Sequence, residues 1–154
     1  MKRTIKIVGL VLIGGIVLIQ FFHPERNSGN NTSDVDFLTV TSAPDSLAAI
    51  FKNSCYDCHS NQTNYPWYSY ISPVSWFLNK HIEEGKEELN LSQFGNLDKN
   101  QKIGVLSDIC EELESGSMPL KSYLIIHRKA LVNLADAEAI CDWTELAALK
   151  IMRE

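Results

Sequence analysis

Cys55-Tyr56-Asp57-Cys58-His59 combines residue types and spacing that together make a complete chemical kit. Two thiols three positions apart lie on neighbouring parts of one helical face and can reach the edge of one flat macrocycle, while the adjoining imidazole folds beneath it to meet a metal. Cys-x-x-Cys-His is the spacing of covalent haem attachment. Two other chemistries use part of the pattern. A dithiol redox pair works in a thioredoxin-like βαβ setting, and no strand pattern surrounds this one. A four-thiolate zinc site would have to recruit Cys110 and Cys141, which are 31 residues apart and form no second knuckle.

With His59 below an iron, three side chains compete for the sixth position. Met118 is preferred, because Gly116-Ser117-Met118-Pro119 holds a soft thioether on a loop that its proline keeps from becoming helix. Otherwise this methionine is a gap-filler of the core. His81 is the rival: it falls on the apolar face of a helical pattern, and Gly85, four residues on, leaves room for a flat cofactor. A hydrogen-bonded core histidine is the plainer account of that placement. His127, which closes Tyr123-Leu124-Ile125-Ile126, is the third candidate, and an open or water-bound iron is the remaining alternative. His23 adjoins an apolar run and is set aside.

The elements that must position this kit begin with that run. Lys2, Arg3 and Lys6 precede apolar residues from Ile7 to Phe22, broken only by Gln20, with no acidic residue before Glu25. A charged region followed by an apolar one is the pattern of an export signal. As a helix the run rises about 24 Å, short of a hydrocarbon core of about 30 Å. His23-Pro24-Glu25-Arg26 offers no cleavage signature, so residues 1–23 are expected to be an uncleaved signal anchor, a single transmembrane helix, with a removed signal peptide as the alternative. The basic end would stay inside, placing the remainder on the periplasmic or exterior side of the cytoplasmic membrane.

Residues 24–44 read as a polar linker, with Asn27–Asp34 (NSGNNTSD) as a flexible tether, and 45–154 as one small domain. The Asn-x-Ser/Thr triplets there and at Asn61 and Asn90 carry meaning only in a eukaryotic secretory protein. Without Lys2, Arg3 and Lys6 the chain has 11 basic residues against 19 acidic ones, a net charge of −8. That excludes nucleic acid as a natural partner and suits either simple solubility or steering of a basic redox protein.

The domain reads as four helices without strands. The first starts at Asp45 and carries Leu47, Ile50 and Phe51 into Cys55. A second has Ser72 as N-cap and Pro73 as first residue, with Val74, Phe77, Leu78, His81, Ile82 and Gly85 on its inner face. A third starts at Asp98, where Gln101 completes a capping box, and buries Ile103, Leu106, Ile109, Cys110 and Leu113. The last starts near Asp136 and turns Ile140, Trp143, Leu146 and Ala147 inward. Tyr65, Trp67, Tyr68, Tyr70, Trp76 and Phe77 either wall a porphyrin or fill an ordinary core. Pro66 or Pro73 would offer a carbonyl to the second nitrogen of His59. Cys110 and Cys141 form either a disulfide or two buried thiols.

In this order of parts, the chain resembles class I c-type cytochromes and, more narrowly, the small bacterial haem-binding domain proteins. The resemblance rests on CYDCHSNQTNYPWYSYISPVSWFLNKHIEEGKEELN, SGSMPLKSYLIIH and DAEAICDW, over roughly residues 45–150. It implies an all-α cytochrome c-like domain around one haem c, attached through Cys55 and Cys58 and ligated by His59 and Met118. The function it implies is electron transfer by a membrane-anchored monohaem protein, not an enzyme, between redox partners in or near the membrane. The alternative is a haem-based sensor or peroxidase-like protein with a weak or open sixth ligand.

Overall fold

The computed structural model describes residues 2–29 and 34–153. The α-helices are α1 (Lys2–Ile19), α2 (Phe37–Thr41), α3 (Asp45–Ser54), α4 (Tyr56–His59), α5 (Val74–Glu88), α6 (Lys99–Glu114), α7 (Lys121–Leu124) and α8 (Leu134–Arg153). Short 3-10 turns lie at Trp67–Tyr70, Leu91–Asn96 and Arg128–Ala130. Among the described residues the only β-pairing is an isolated bridge between Ser28 and Gln62, so the all-α expectation holds.

The expected transmembrane anchor does not hold. Among the described residues, no helix is long and apolar enough to cross a membrane. Lys2, Arg3 and Lys6 occupy the first turns of α1, and the helix stops at Ile19. Its uninterrupted apolar part, Ile7–Ile19, rises only about 20 Å at 1.5 Å per residue, against about 30 Å of hydrocarbon. Just past its end, the Gln20 side chain donates to the Ser72 carbonyl at 2.8 Å and accepts from the Ser72 N–H at 3.0 Å. The signal-anchor reading and the single-pass membrane placement fall with it.

The stretch after α1 is also more than linker. Phe22 accepts at its carbonyl from Trp76 Nε1 (2.7 Å) and the Ser72 hydroxyl (3.1 Å). Arg26 lies over the Tyr70 and Tyr65 rings. Asn27 donates to the Ser60 carbonyl and Thr63 Oγ1 and accepts from Lys86. Residues 30–33 of the expected tether, with the triplets that start there, lie outside the described residues. Asn61 and Asn90, at the other triplets, hydrogen-bond each other at 2.9 Å.

The core is built around a residue assigned to the linker. Phe37 of α2 is fully buried and meets the rings of Phe51 and Phe94 at 5.0 Å each and of Trp143 at 5.8 Å, all edge-on. Leu47, Tyr56, Leu91, Leu106 and Ile140 complete the cluster. An Asp-Phe-Leu start explains α2: Asp36 caps the helix by accepting from the Leu38 N–H at 3.0 Å, and Phe37 then faces inward.

α6 and α8 form the most extensive helix pair. The capping box at Asp98 and Gln101 is present, and Leu106 is buried with Ile109 and Leu113 packed beside it. On α8 the buried face is Ile140 and Thr144, with Trp143 and Ala147 packed against the core; Leu146, expected inward, is exposed because it follows Thr144 round to the solvent side. A disulfide joins Cys110 to Cys141 across this pair.

Candidate haem-attachment site

α3 runs directly into the motif, and the chain continues for one more helical turn, with the Cys58 and His59 N–H groups both donating to the Cys55 carbonyl. Phe51 and Tyr56 face the core, and Tyr56 donates to Asp36 Oδ1 at 2.9 Å. Burial, followed by the neighbouring Asp36 charge, holds this phenol protonated. With those side chains turned inward, Cys55 and Cys58 remain free thiols, each partly accessible.

Burial, then Cys58, pushes the Cys55 thiol up to about 12; burial, then Asp57, pushes Cys58 up to about 11. A dithiol oxidoreductase needs the opposite shift, toward an accessible thiolate. The four-thiolate zinc arrangement is closed off separately, since Cys110 and Cys141 are spent on each other.

α5 sets the other side of the motif. A Cβ at Gly85 would stand 3.0 Å from the Cys58 carbonyl oxygen and 3.2 Å from the Cys58 Cβ, so this glycine lets α5 touch the attachment turn backbone to backbone. It was expected to make room for a cofactor; it makes room for Cys58. Four residues on, the Leu89 carbonyl accepts from His59 Nδ1 at 3.1 Å. Neither Pro66 nor Pro73 is that partner. The bond fixes the proton on Nδ1 and leaves the Nε2 lone pair free, the arrangement a metal-binding imidazole requires. Burial lowers the pKa of His59, with the carbonyls of Leu89 and Gly85 and the charge of Glu88 pulling the other way, so the ring is neutral at pH 7.

The sixth-ligand candidates separate by their partners. His81, expected on the inner face of α5, is only half-buried, 3.5 Å from Glu84 and edge-on to Phe77 at 4.4 Å. The inner face is rotated from the expected one. Ser75 and Ile82 are buried while Val74 and Phe77 are exposed, and the helix begins at Val74 with Pro73, rather than Ser72, at its cap. His127 Nε2 is hydrogen-bonded to the Tyr68 hydroxyl, and its ring stacks on Tyr123 at 4.1 Å. Met118 is half-buried and sits just past α6, where a Schellman turn closes the helix. There Gly116, at φ +68°, donates to Leu113, and both Ser117 and Met118 donate to Glu112 at 3.1 Å.

Asp57, which the motif leaves unspecified, is the hub that sequence reasoning missed. Its Oδ1 accepts from the Asn64 N–H and side chain, and its Oδ2 from the Tyr123 hydroxyl at 2.7 Å. Burial and Asp57 raise the Tyr123 pKa and keep the phenol a donor. No spacing rule announces such a contact, since the partners are 66 residues apart.

The residues fit a haem. A protonated thiol pair and a neutral imidazole with a free Nε2 share one turn. Elsewhere in the domain Trp67, Phe77, Ile125 and Ile126 are 76%, 56%, 70% and 63% exposed. The described residues form an all-α domain in which the Cys55–His59 turn packs against α3 and α5. The profile of the haem-binding domain family matches residues 14–146, and the chain belongs to that family. No curated protein and no solved structure matches the chain.

Proposed function

We propose that this haem-binding domain is a monohaem c-type cytochrome, holding haem c through Cys55 and Cys58 with His59 and Met118 as axial ligands, and that it transfers electrons. The observation that carries the reading is the His59 hydrogen bond to Leu89, which orients the ring and leaves Nε2 free in the same helical turn as the free thiols of Cys55 and Cys58.

Bound haem supplies an iron that changes oxidation state by one electron. The chain supplies the rest. Cys55 and Cys58 fix the ring to a turn that is itself anchored by Phe51, Tyr56 and Gly85. His59 is pre-oriented. Met118 is favoured over His127, whose Nε2 is bonded to Tyr68 and whose ring is stacked on Tyr123. The excess of acidic over basic residues suits a basic redox partner, whose association would slow as salt is added.

The test is the mass and colour of the chain produced in a host with haem-attachment machinery. The expected product carries one haem that survives denaturation, and a Cys55→Ala, Cys58→Ala double variant loses it. A colourless protein of unmodified mass would end the reading. The ferric spectrum of Met118→Ala set beside His81→Ala names the distal ligand: the methionine-to-iron charge-transfer band should vanish in the first and persist in the second.

A further inference from the structure

The loop that carries Met118 is poorly held by its own packing. From Ser115 to Lys129 no residue is fully buried, and α7 is a single turn, too short to be stable alone. Its near end is tied to α6 by the bonds from Gly116, Ser117 and Met118 to the carbonyls of Leu113 and Glu112. Its far end is tied by polar and ring contacts. Tyr123 donates to Asp57 Oδ2 at 2.7 Å, Tyr123 stacks on His127, and Tyr68 bonds His127. The tie at Asp57 is the informative one, because Asp57 stands between the two attachment cysteines and its other oxygen braces Asn64. One carboxylate thus joins the haem-attachment turn to the Met118 loop.

We propose that Asp57 and Tyr123 form a positioning clamp that holds Met118 on the iron. The proposal rests on the reading of Met118 as distal ligand. A thioether is a weak, neutral ligand, so its occupancy depends on how tightly its loop is held. The clamp supplies that restraint by tying the Met118 loop to the turn that holds Cys55, Cys58 and His59.

The test compares the haem-loaded wild type with Tyr123→Phe, Asp57→Ala, Asp57→Asn and Met118→Ala. Tyr123→Phe keeps the ring on His127 and removes only the hydroxyl. It should lose at least half of the ferric methionine-to-iron band, lower the reduction potential, and bind carbon monoxide in the ferrous state at least tenfold faster. Asp57→Ala should do the same, whereas Asp57→Asn, whose one oxygen can accept from Tyr123 or from Asn64 but not from both, should lose less of the band than Asp57→Ala. A wild-type band in Tyr123→Phe, or equal loss in Asp57→Asn and Asp57→Ala, would overturn the clamp. A band missing from the wild type, or surviving in Met118→Ala, would instead overturn the ligand assignment and the clamp with it. Hydrogen exchange of the haem-free chain gives a second readout. Residues 116–127 should exchange at least tenfold faster in Tyr123→Phe, with α6 and α8 unchanged; unchanged exchange in the loop counts against the clamp.

Discussion

Asp36 shows how much one buried carboxylate does at the foot of the attachment turn. It is 5% exposed, and its Oδ1 accepts from both Tyr56 and the Leu38 N–H, while Oδ2 has no partner. Burial raises its pKa, and the Tyr56 hydroxyl, the nearby backbone N–H groups of Leu38 and Thr39 and the charge of Lys52 only partly oppose this. The folded state therefore holds a proton that the unfolded chain gives up near pH 3.8. Stability contributed by this group is present below that pH and is lost as pH rises through the higher folded value. Asp36→Asn keeps an oxygen for Tyr56 and cannot ionise. Denaturant titrations should show the variant's stability relative to wild type rising across that window and level above it. A difference that is flat with pH would show that Asp36 does not titrate on folding.

At the scale of elements, the packing of α5 on α4 turns on Gly85. Exchanging glycine for alanine in a helix interior is ordinarily favourable by about 1 kcal/mol. Here the added methyl would meet the carbonyl oxygen, Cβ and carbonyl carbon of Cys58 at 3.0–3.3 Å, and that backbone is fixed by its own helical hydrogen bonds. Overpacking of this kind costs about 1–3 kcal/mol. Gly85→Ala should thus lose about 1 kcal/mol net in chemical denaturation and shift the Leu89 carbonyl away from His59, seen as altered proximal-ligand signals in the magnetic spectrum of the haem form. A stabilised variant would mean that α4 and α5 separate freely.

For the whole molecule, two long-range ties decide stability. Phe37, drawn in from outside the expected domain, touches three other aromatic rings, and Phe37→Ala should cost about 3–5 kcal/mol in urea denaturation. A cost below about 1 kcal/mol would show that residues 34–44 are dispensable to the core. The Cys110–Cys141 disulfide closes a loop with a sequence separation of 31, and chain-entropy arguments give it about 3–4 kcal/mol. A dithiol reductant should lower the denaturation midpoint of the wild type and leave a Cys110→Ala, Cys141→Ala variant unaffected.

The Cys-x-x-Cys-His spacing, the helix that runs into it, the capped start of α6 and the all-helical class were legible in the chain by itself. Each depends on near neighbours in sequence: a thiol spacing, an apolar period, a side chain reaching three residues forward. Only the tertiary structure decided the carbonyl behind His59, the close approach at Gly85, the Asp57 hub and the burial of Phe37. All of these are meetings of residues far apart in the chain, and local periodicity carries no record of which distant group a side chain will find. The apolar N-terminal run misled for a related reason. Its residue types suit a bilayer, but the helix ends at Ile19, and Gln20 after it bonds to Ser72, a partner 52 residues away.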